Sequence, residues 1–189
     1  DYTNGTEYHS GEDWNRIDVA TDEGENVLAI GDGIVLFNGC LDNYGHTVII
    51  VHKLLSGEVV ASFYAHMRHE FVPLIPGKQV RRGEVIGHIA HTKEHTCSIN
   101  GDSPHLHFEV WKQSMLWRFR GIIPEMPDLV MPKHILSMWP ATAQDKGDGG
   151  QVFIRDNYYS PSMFIAYQGN TALIPKDGSY RDWDGRIDV

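Results

Sequence analysis

Between Asn26 and Trp111 the chain runs as short β-type segments separated by turn residues, nearly all marked by glycine. Residues 26–37 (NVLAIGDGIVLF) hold two runs broken by Gly31 and Gly33. Residues 46–52 (HTVIIVH) and 58–66 (EVVASFYAH) form a second pair that turns at Ser56-Gly57. Residues 84–90 (EVIGHIA) follow the turn VRRGE. Strands repeating at roughly 8–12 residues with glycine turns predict antiparallel pairing, because a parallel crossover needs a dozen or more residues, usually helical. No amphipathic helical pattern appears before residue 111. Residues 71–76 (FVPLIP) read as a connector, since Pro73 and Pro76 cannot donate to a ladder. The expected fold class is therefore all-β.

The character changes after Trp111. The stretch WKQSMLWRFRGIIPEMPDLVMPKHILSMWP is rich in Trp, Met and Pro. It is too apolar for a free tail and is expected to pack on the β core. Residues 141–151 (ATAQDKGDGGQ) read as a loop or hinge. Residues 152–175 read as two or three further short strands, either a small second sheet or an extension of the first. Asp182-Trp183-Asp184-Gly185-Arg186-Ile187-Asp188 echoes part of a calcium loop, but Tyr180 stands where the first Asp belongs, so a solvated acidic end is the default reading.

The size, 189 residues, fits one domain or one domain with an appendage, and 41% hydrophobic residues suffice for a packed core. No apolar run approaches the ~20 residues of a membrane-spanning helix. The first residues carry no charged or apolar leader pattern; a leader removed upstream is compatible with this. A net charge of −9 argues against nucleic acid as a partner, which needs clustered Lys and Arg. Arg81-Arg82 is the one basic pair of the β region and reads as a solvated turn.

Chemistry concentrates in three clusters. In SPHLHFEVW, Leu106, Phe108 and Val110 alternate with His105, His107 and Glu109, so a strand presents both imidazoles on one face. In HSGED, His9 and Asp13 add an imidazole and a carboxylate, both acceptable to zinc. Ser10 and Gly11 are poor helix formers, so this segment reads as a loop or strand end. In SFYAHM, the end of a β-rich segment delivers His66. Three ligands from His9, Asp13 and His107 match the count of a catalytic zinc site, with a fourth position for water. A hydrolytic site also needs a base and a donor to the oxyanion, roles open to His66 and His105.

HSGED, GDGIVLFNG, NYGHTVIIVH, FYAHM, PGKQVRRGEVIGHI and SPHLHFEVW follow one another as in the M23 (lysostaphin/LytM-like) metallopeptidases, and the chain resembles that family over about residues 9–111. The resemblance implies an antiparallel barrel-sandwich core in residues 1–118, with residues 119–189 as a short irregular or β extension packed on it. It implies zinc held by His9, Asp13 and His107, and His66 and His105 as the catalytic histidines. It further implies an exported endopeptidase, its signal sequence not in this chain, that cuts peptides of bacterial peptidoglycan by zinc-activated water. The alternative is a non-catalytic module of the same fold that regulates another wall hydrolase. All five family positions are filled here, which argues for activity.

The chain departs from the family pattern at His46, where Asn is common, and in the long, histidine-containing segment before Pro104. Both departures bear on substrate choice more than on chemistry. PGKQVRRGEVIG also resembles the turn of biotinyl and lipoyl carrier domains, but no lysine motif of that class is present. Cys40 and Cys97 are the two cysteines; two separate buried thiols and one disulfide are both open readings, the second suiting an exported protein. His52, His69, His88, His91, His95 and His134 read as surface or satisfied histidines, with His91 and His95 near enough to the HxH strand to line a cleft.

Overall fold

Runs such as HTVIIVH contain too many consecutive apolar residues for a sheet with one wet face. The structure, a computed structural model, describes residues 10–16, 21–41, 44–68, 74–91, 104–116 and 156–170, and in it the central strands are covered on both faces. The strands are β1 (Glu12–Trp14), β2 (Asn26–Leu28), β3 (Gly33–Leu41), β4 (Gly45–Lys53), β5 (Val59–Met67), β6 (Gln79–Val80), β7 (Val85–His88), β8 (Leu106–Trp111) and β9 (Tyr158–Tyr159). Helices α1 (Gln113–Leu116) and α2 (Pro161–Asn170) follow β8 and β9 respectively. The main sheet runs β1-β8-β5-β4-β3-β6, and β2 pairs with β7 in a small second sheet. Among the described residues every strand pairing is antiparallel, as the spacing of the glycine turns predicts.

The side-chain period of two divides the spine between two apolar layers. Val48, Ile50, Val60, Tyr64, Phe108 and Val110 pack with Val27, Leu74 and Ile86 from the small-sheet side. Ile49, Val51, Ala61, Phe63, Ala65 and Trp111 pack with Met115 and Leu116 of α1. Gly33 is required by close approach: a Cβ there would lie 2.5 Å from Ile50 Cγ2 and 2.7 Å from His52 Nδ1. His52 is wholly buried, its Nδ1 2.8 Å from the Asp32 carbonyl and its Nε2 2.6 Å from Ser62 Oγ, so it is a satisfied core histidine.

Strands β1 and β9 lie end to end along one edge of β8. Glu12, Asp13 and Trp14 face Phe108, His107 and Leu106, while Tyr159 and Tyr158 face Val110 and Trp111. The expectation of strands across 152–175 is corrected for 161–170, which form α2. The reason is local: Ser160 and Pro161 occupy the cap and first helical position, where a hydroxyl residue and a proline start a helix. Phe164 N donates to Ser160 O at 2.8 Å, and the buried Phe164 anchors the helix to the small-sheet side. Full burial of one such side chain contributes roughly 1.5–3 kcal/mol. Glu12 of β1 accepts from Ser162 N at 3.2 Å and Ser160 Oγ at 2.9 Å, so its carboxylate sits on the N-terminus of α2. Burial alone would raise the Glu12 carboxyl, but bonds from Ser162, Trp14 and Ser160 bring it below its ordinary value.

Cys40 of β3 is disulfide-bonded, so it is not the separate thiol of the first cysteine reading. The chain's other cysteine, Cys97, lies outside the described residues, as do the 182–188 segment and His69, His95 and His134.

Candidate active site

Three adjacent strands carry the candidate residues. On β8, His107 stands opposite Asp13 of β1 on one side and Ala65 of β5 on the other. Cross-strand partners share a face, so Asp13 and His107 meet directly. Asp13 Oδ1 lies 3.2 Å from His107 Nδ1 and 3.6 Å from His105 Nε2. The predicted common face for the two imidazoles is therefore observed, with His105 just before β8. Asp13 belongs to a strand, and Ser10 and Gly11 bend into it, which fits the loop-or-strand-end reading. His9 lies outside the described residues.

His66 reaches this face by an irregularity. Being next to Ala65, it would point away from His107 in a regular strand. The β4–β5 register shifts here: His46 pairs with Met67 and Val48 with Tyr64, so Ala65 and His66 together oppose Thr47. This is a β-bulge, a device that re-aims a side chain. His66 takes φ 59°, the one positive φ among the described non-glycine residues. Such a backbone costs on the order of 1 kcal/mol and persists only where its surroundings hold it. His66 N donates to Tyr44 O at 2.8 Å, and Ala90 N donates to His66 O at 2.9 Å. The His66 ring ends 4.7 Å from that of His105 and 5.8 Å from that of His107. Tyr44 closes the same side, stacked on His66 and edge-on to His107.

The sequence reading missed the partner on the far side of His107. Glu109 is wholly buried, with Oε1 2.7 Å from His107 Nε2. Its Oε2 accepts from Trp111 Nε1 at 2.6 Å, and Ser10 Oγ also donates to Oε1. The signal was present: Glu109 follows His107 by two residues and so shares its face. Gly11 allows this contact, since a Cβ there would meet Phe108 O at 2.3 Å and Glu109 Cγ at 2.7 Å.

Electrostatics separate the two central histidines. Burial alone would lower His107, but bonds to Asp13 and Glu109 outweigh it and carry the imidazole up to about 9. Burial, helped by His105 and His107, holds His66 down at about 3. His66 Nδ1 is buried and has no hydrogen-bond partner among the described residues.

Among the described residues no group of three or more His, Cys, Asp or Glu is arranged to hold a metal. The donors present nonetheless suit zinc: an imidazole nitrogen and a carboxylate oxygen face one another, and the far nitrogen of His107 rests on a buried carboxylate. A cleft of about 460 Å³ opens beside Asp13, lined among others by Trp14, Arg16, Asp22, Glu25 and Leu106. Arg16 pairs with Glu25 at 2.7 Å across it. Of the spare histidines, His91 Nε2 lies 3.4 Å from Glu23.

A family model described as Peptidase family M23 matches residues 12–117. The chain is 37% identical over 93 residues to the DD-carboxypeptidase/endopeptidase Mpg of Neisseria meningitidis serogroup B, covering 49% of this chain and 19% of that protein. The chain thus spans about one fifth of the length of the curated relatives it matches. Among solved structures, Helicobacter pylori Csd3 is 25% identical, with 87% of this chain and 34% of that one covered and a TM-score of 0.41. Lysostaphin from Staphylococcus simulans is 16% identical, with 94% and 51% covered and a TM-score of 0.46.

Proposed function

The chain belongs to peptidase family M23, and from that premise we propose that it is a zinc-dependent endopeptidase acting on peptides of bacterial peptidoglycan. The observation that carries this reading is the convergence of Asp13, His105, His107 and the bulged His66 from β1, β8 and β5 onto one face. The match to Mpg, a DD-carboxypeptidase/endopeptidase by its printed name, supports the reaction class. The disulfide at Cys40 supports export, where such bonds persist.

In this reading His9, Asp13 and His107 hold the metal. Zinc, when bound, supplies Lewis acidity toward a scissile carbonyl and acidifies water toward a pKa of about 7. His66 and His105 divide the remaining work: one takes the proton of the attacking water, the other donates a hydrogen bond to the developing oxyanion. Tyr44 and the buried β8 side chains hold these rings in place and limit water at their backs. Residues 1–118 form the peptidase core. Residues 119–189 are a C-terminal extension, and its contribution to the sheet edge at β9 and to Glu12 supports a bracing role beside Asp13.

The test is digestion of purified muropeptides of several cross-link types, with and without a chelator, read by mass spectrometry. Cleavage lost on chelation and restored by zinc is the expected result. Intact muropeptides in every arm, with the folded protein instead binding a wall hydrolase, would replace this reading by the regulatory module.

A further inference from the structure

Glu109 is an expensive residue to bury. It is wholly inaccessible, on a strand face that it shares with His107 and that Phe63, Ala65 and Trp111 otherwise line. A buried carboxylate is tolerated only when its oxygens are satisfied, and an apolar side chain would serve packing alone at lower cost. Its described partners are Ser10, His107 and Trp111. Of these only the His107 imidazole can carry a positive charge, and it faces Glu109 at 2.7 Å.

The partners impose a direction. The Trp111 indole nitrogen only donates, so Glu109 Oε2 must accept there. Oε1 receives Ser10 Oγ and faces His107 Nε2 at 2.7 Å. A carboxylate accepting on both oxygens leaves Nε2 as the N–H of His107. In the neutral ring, the form that can bind a metal, the lone pair is then on Nδ1, the nitrogen that faces Asp13 at 3.2 Å. Gly11 keeps the approach open by lying where no Cβ fits.

We propose that Glu109 is the positioning residue of the site: with Trp111 and Ser10 it selects the His107 tautomer and ring orientation that present Nδ1 toward Asp13. This rests on the zinc reading above, since it assigns Glu109 the task of preparing His107 as a ligand.

The test is Glu109→Gln, which keeps the side chain's shape. Trp111 claims the amide oxygen, so the amide nitrogen must donate to His107 Nε2 and force the opposite tautomer. Zinc affinity, measured by competition with a chromophoric chelator, is expected to fall about 10–100-fold. The melting temperature of the metal-free variant should stay near wild type. The double variant Glu109→Gln/Trp111→Phe frees the amide to turn over and should recover part of the affinity, which a purely structural loss would not. Wild-type affinity in a folded Glu109→Gln protein overturns the proposal. If that variant does not fold, nitrogen-15 spectra of histidine-labelled, zinc-loaded wild type decide: a His107 Nε2–H signal supports the role, and a ring protonated at Nδ1 overturns it. A wild-type protein that takes up no zinc overturns the zinc reading itself and is told apart by its own titration.

Discussion

The rings of His66 and His105 lie 4.7 Å apart at an interplanar angle of 66°, although one comes from a bulge in β5 and the other from the residue before β8. Two imidazoles so placed, beside the His107–Asp13 pair, suit the two proton-handling tasks of amide hydrolysis. His66→Ala and His105→Ala are each expected to keep zinc and to lose about 10²–10⁴ in kcat/KM. Near wild-type turnover in either zinc-loaded variant removes that residue from the mechanism.

Metal content tests the ligand set. The purified protein is expected to carry about one zinc per chain, and His9→Ala, Asp13→Ala and His107→Ala should each lose most of it. Elemental analysis with stoichiometric zinc in all three variants would sink the assignment.

His52 predicts an acid limb of stability. Burial, opposed in part by the Asp32 carbonyl, lowers it from 6.5 to about 4. Below 6.5 the unfolded chain takes up a proton that the folded chain refuses. The stability from a neutral His52 is therefore complete above 6.5 and falls as pH drops toward 4, by about 3 kcal/mol over that window. Urea unfolding of chelator-treated protein across this range should show a shallower pH slope in His52→Gln. Equal slopes in the two proteins would show that His52 contributes none of it.

The disulfide at Cys40 gives a redox prediction. Cys97 is the chain's other cysteine, and a loop of roughly 57 residues closed between them stabilises by ~4 kcal/mol in the chain-entropy model. A reductant should lower the melting temperature measurably, and Cys97→Ser should do so without reductant. Two free thiols titrating in the unfolded, non-reduced protein would contradict this pairing.

Glu12 gives a stability prediction for the C-terminal helix. Its carboxylate accepts from Ser162 N and Ser160 Oγ at the first turn of α2, where negative charge and an acceptor for the free backbone N–H groups are favourable. Glu12→Ala is expected to cost about 1 kcal/mol, with increased hydrogen exchange at the amides of residues 162–164. Unchanged exchange there would mean that Phe164 packing alone holds the helix.

The sequence by itself determined the strands and which residues share a strand face. Glycine turns set strand lengths, and a period of two puts His105, His107 and Glu109 together, because both signals are local. It also carried enough motif order to identify the family resemblance. It did not predict α2, since Ser160-Pro161 reads equally as a turn or as the start of a helix until Glu12 and the Phe164 site are in place. Only the tertiary structure decided that Asp13 stands opposite His107, because register between segments more than 90 residues apart depends on packing across the whole sheet. It alone revealed that one extra residue opposite Thr47 turns His66 toward His105. It alone paired Glu109 with His107, since shared strand faces are written in the chain but the donors that satisfy a buried carboxylate are gathered only by folding.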